Sequence, residues 1–72
     1  MSYKETQELA ALPDRISASE AELEQGYVSL ADPMVVRDMA ALARVRSRVA
    51  ELEAAIPVLM ARWEELETIA SE

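Results

Sequence analysis

Seven basic and fourteen acidic side chains, with no histidine and no cysteine, set the chemical repertoire of this 72-residue chain. Nucleophilic catalysis needs a hydroxyl, thiol or amine beside a suitable base, and the serines here have no such base in reach. Gly26 is the single glycine, so no glycine-rich phosphate loop can form. Glu20, Glu22 and Glu24 alternate, so on a helix they diverge to different faces; they read as a solvated surface, not as a metal cage. Met34, Met39 and Met60 read as flexible gap-fillers instead of a cofactor box. No catalytic residue, cofactor or metal ligand emerges, and the enzyme reading closes for this chain.

What remains is the arginines. Residues 34–50 carry four bases and one acid, whereas residues 13–33 carry five acids to one base and residues 51–72 six acids to one base. A net charge of −7 argues against wrapping a polyanion with the whole surface. A local basic stripe of Arg37, Arg44 and Arg48, joined by Arg15, is therefore the candidate contact for nucleic-acid phosphates. The competing reading is that these arginines pair with acids on a neighbouring helix.

The elements that must position them are helical. The composition is rich in Ala, Glu, Leu and Arg, and half-apolar at 51% with only 4% aromatic. Ser2 followed by Glu5 is a capping box. Leu9, Leu12, Ile16, Ser19, Leu23, Gly26 and Leu30 follow in steps of three and four, a heptad seam. Ser19 and Gly26 underfill it, so leucine at either position is expected to raise stability. Pro13 is placed to kink or restart the first helix. "LADPMVVRD" is the break, with Asp32 and Asp38 as possible N-caps. A second seam runs through Leu42, Val45, Val49, Leu52, Ile56, Leu59, Trp63, Leu66 and Ala70, with a bend expected near Pro57. Trp63 thus packs first.

The fold class is all-α, a two-helix antiparallel coiled-coil hairpin forming one domain over residues 1–72. Helix one covers 1–30, the turn 31–37 and helix two 38–70. Two registers compete. One sets Leu30 near Asp38, Ile16 near Leu52 and Leu23 near Val45, and creates the opposite-charge pairs Glu20–Arg46, Glu22–Arg48 and Glu8–Arg62. The other sets Leu30 against Val45, brings Glu20 beside Glu53 and Arg15 beside Arg62, and is disfavoured by that charge pattern. In the first register Arg37 and Arg44 lie one heptad apart on the outer face of helix two.

The stretches "SYKETQELAALPDRISASEAELEQ", "LADPMVVRDMAALARV" and "ELEAAIPVLMARWEELE" resemble the C-terminal coiled-coil domain of ABC-F ATPases, especially the Uup branch. The ordered features are the "SYKE" start, Leu12–Pro13, the "LADP" turn and "RWEELE" at Arg62 to Glu67, with Trp63 matching the family's tryptophan. The chain departs from the pattern at Ser19, Gly26, Pro57 and Met60, and in having few lysines. The absence of cysteine and of a signal peptide fits a cytoplasmic setting, and the resemblance implies a fragment appended to two ATP-binding modules of a larger ATPase that acts on ribosomes and nucleic acids. It also implies a nucleic-acid-binding hairpin.

Three functions follow as expectations. The first is an accessory DNA- or ribosomal-RNA-binding hairpin with weak, salt-dependent affinity. The alternative is a protein-interaction or dimerisation hairpin, for which the underfilled seam leaves room. The third is a spacer. No apolar run is long enough to span a membrane, so no membrane partner is expected.

Overall fold

The computed structural model describes all residues from Met1 to Glu72. Three helices follow in order: α1 (Tyr3–Leu30), α2 (Pro33–Arg37) and α3 (Met39–Ser71). The start of α1 is the capping box foreseen, in which Ser2 Oγ accepts from the Glu5 amide at 3.1 Å and the Ser2 amide donates to Glu5 Oε1 at 3.0 Å. Asp32 Oδ1 accepts from the Met34 amide at 2.9 Å and opens α2 with Pro33 at its first position. Asp38 then serves twice, ending α2 in extended backbone and accepting from the Ala41 amide at 3.1 Å to start α3. The segment after Leu30 is therefore more than a turn, because α2 is folded into it.

Helices α1 and α3 pack as an antiparallel hairpin measuring 52 × 16 × 14 Å. A break at Pro13 does not occur, since α1 runs unbroken through it, and α3 likewise continues through Pro57. Each proline forfeits one hydrogen bond to the carbonyl four residues back, at Leu9 and at Glu53. Buried seam residues flank both sites, Leu12 and Ile16 around Pro13 and Ile56 just before Pro57. Packing against the partner helix, more than local propensity, holds such helices.

The core is small and falls on the two seams: Leu12, Ile16, Val49, Leu52, Ile56 and Leu66 are buried. The register is the one that charge pattern disfavours. Gly26 lies directly against Val49, so close that a Cβ on Gly26 would meet Val49 Cγ2 at 2.6 Å. Pro13 and Ile16 share a hollow with Met60 and Trp63. Both pairings belong with Leu30 beside Val45, not with Ile16 beside Leu52. The reason is visible at Leu66, which is 0% exposed. In the register chosen on charge it would face Ser2, beyond the start of α1. Slipping by a heptad brings Leu9 and Leu12 over it and sets the free ends of α1 and α3 level. Burying one leucine is worth about 1.5–3 kcal/mol, more than exposed ion pairs usually return.

Candidate nucleic-acid interface

The six arginines separate into held and free groups. Arg48 is held: its Nε and Nη2 donate to both Glu22 oxygens at 2.5 and 2.8 Å, and its Nη1 donates to Glu51 at 3.0 Å. Arg62 repeats the pattern, with Nε and Nη2 on Glu8 at 2.7 and 3.0 Å and Nη1 on Glu65 at 2.9 Å. These are parallel two-point bonds between a planar guanidinium and a carboxylate, the geometry that makes arginine preferred for such pairs. The Arg48 and Arg62 guanidiniums are pushed above their ordinary range, chiefly by hydrogen bonds to Glu22 and Glu8. Those same bonds hold Glu22 and Glu8 below the usual carboxylate range.

Two of the three inter-helix ion pairs read from the sequence therefore form, in the other register, because long side chains reach along the seam. The third does not form, as no ion pair joins Glu20 to Arg46. The like charges that counted against this register are given other partners. Arg62 turns to Glu8 and Glu65, while Glu53 accepts a bond from the Tyr27 hydroxyl at 2.8 Å. That bond holds the neutral phenol, raising the Tyr27 pKa above its ordinary value. The Tyr27–Glu53 pair had no heptad signal to announce it.

Among the proposed phosphate contacts, Arg44 is exposed and joined to no carboxylate. Arg37 is also exposed, but its Nε donates to the Pro33 carbonyl at 3.1 Å and its Nη2 approaches Met34 Sδ at 3.4 Å. Its partners are thus a carbonyl and a thioether of α2, and no carboxylate. Arg37 belongs to α2, not to the helix that carries Arg44, so the heptad phase between them is lost at Asp38. They still share the turn end of the hairpin. Arg48 is the stripe member already committed to carboxylates. Arg15 lies on α1, in this register about 24 Å along the axis from Arg44 at 1.5 Å per residue. Arg46, assigned to Glu20 from the sequence, is instead a further exposed cation near the turn.

Apolar side chains crowd the same end. Met34, Val36 and Met39 are 71%, 49% and 83% exposed. No group of His, Cys, Asp or Glu side chains is arranged to hold a metal ion. No helix is long and apolar enough to cross a membrane.

The family model described as the ABC transporter C-terminal domain matches residues 1–68. No curated protein and no solved structure matches the chain.

Proposed function

The chain belongs to the ABC transporter C-terminal domain family and is an accessory domain of an ABC protein, and we propose that its turn end contacts nucleic-acid phosphates through Arg37 and Arg44. The observation that carries the reading is selective pairing. Arg48 and Arg62 are spent on carboxylates, whereas Arg37 and Arg44 are exposed and joined to none. Counterion release favours such cations, because a paired arginine must first give up its carboxylate. Arg46 adds a third free charge on the flank of α3. The reading carries with it ATP-binding modules in the same protein, a cytoplasmic setting and the Uup-like branch of the ABC-F ATPases.

Anisotropy of labelled single-stranded DNA, duplex DNA and RNA over a salt series tests it. Arg37→Ala with Arg44→Ala should weaken binding to each and shallow the salt slope on duplex by about 0.9 per lost phosphate contact. Equal binding by the double variant at every salt concentration overturns the reading. A protein-docking or self-associating tip is the second reading, and the exposed Met34, Val36 and Met39 favour it. Self-association that Met34→Ser with Met39→Ser abolishes would put that reading first.

A further inference from the structure

The opposite half of the hairpin carries a surface of contrary chemistry. Pro13 and Ile16 of α1 and Met60 and Trp63 of α3 bound a hollow of about 300 Å³, rimmed by Glu20 and Glu64. Trp63 sits on the seam yet remains 37% exposed, and Met60 39%. No ion pair reaches Glu20 or Glu64, although Glu8, Glu22, Glu51 and Glu65 are all taken by arginines. An apolar, aromatic hollow is thus left open between two free carboxylates.

We propose that this hollow docks a protein segment bearing an arginine or lysine. The aliphatic stem of such a side chain suits the Pro13, Ile16 and Met60 surface. Its charge finds the Trp63 ring and a carboxylate of the rim. The volume lies at the small end of ligand pockets, room for one or two long side chains. A phosphate backbone is repelled here, so the site is independent of the turn end, about 29 Å away along the axis at 1.5 Å per residue.

Trp63 is the single tryptophan, so its fluorescence reports the hollow directly. The full chain is titrated with the blocked peptide Gly-Arg-Gly-Arg-Gly, its lysine version and its norleucine version. A saturable, salt-sensitive change is expected with arginine or lysine and not with norleucine. Glu20→Gln with Glu64→Gln should weaken binding about two- to tenfold, while the charge-matched Glu24→Gln with Glu67→Gln should leave it unchanged. Circular dichroism confirms that both variants fold. No saturable change, or equal weakening by the two double variants, overturns the proposal. Norleucine binding as tightly as arginine would mean an apolar occupant. A signal that follows protein concentration without peptide would mean a second copy, and either result overturns it.

Discussion

Gly26 is the sharpest place to perturb this fold, because sequence pattern and packing give opposite signs there. By helix propensity, Gly26→Ala should gain about 1 kcal/mol, and filling a vacant seam position with leucine should gain more. In the structure the position is not vacant. A Cβ at Gly26 would sit 2.6 Å from Val49 Cγ2. Val49 is only 6% exposed, and a valine on a helix has one strongly preferred rotamer, so it has little freedom to turn aside. Overpacking of this kind typically costs about 1–3 kcal/mol. Packing should win, leaving Gly26→Ala destabilised by about 1 kcal/mol, or about 4–8 °C in Tm for a domain of this size. Gly26→Leu should be worse, the reverse of what the heptad pattern indicates. The assay is thermal and urea unfolding followed by circular dichroism, completed as a double-mutant cycle with Val49→Ala. Removing the valine methyls should relieve the clash, giving a coupling of about 1 kcal/mol or more in favour of the double variant. A rise in Tm for Gly26→Ala alone, or additive effects in the cycle, would refute the close approach of α1 and α3 at this point.

Ser19 is the other underfilled seam position, and it is half-buried. Ser19→Leu should stabilise by about 1 kcal/mol, part of the value of a fully buried leucine, visible as a higher Tm in the same melts. Acid should loosen the hairpin. Glu8 and Glu22 are held below the ordinary carboxylate range, chiefly by their arginine hydrogen bonds, so their contribution is present above the unfolded-state pKa and lost as pH falls through the folded one. Tm should therefore decline from about pH 4.5 downward, and Glu8→Gln with Glu22→Gln should flatten that decline. An unchanged acid limb in the double variant would mean that these pairs do not sense folding.

The two long helices and the helix starts were legible because local chemistry decides them. Ser2 with Glu5, Asp32 with Pro33, and Asp38 each act within four residues, and each cap forms as written. The seams were legible for the same reason, since Leu12, Ile16, Val49, Leu52, Ile56 and Leu66 fall on the stated three-and-four steps. The helix does not restart at Pro13, where the local cost of a lost bond is outweighed by burial on both sides. That balance depends on the partner helix. A single strand of sequence does not display it.

The register, and with it the site, depends on comparisons across the chain. Flanking charges offered one alignment, but long arginine and glutamate side chains tolerate a slip, whereas Leu66 does not. With the ends of α1 and α3 level, the residues left over at the other end have no partner stretch and coil into α2. This removes Arg37 from the helix of Arg44 and frees Arg46 from Glu20. It also ties Glu53 to Tyr27. The basic surface is thus a product of the register. Any change that restored the charge-chosen alignment would bury Arg46 in a pair and expose Leu66, altering the turn end and the stability of the base together.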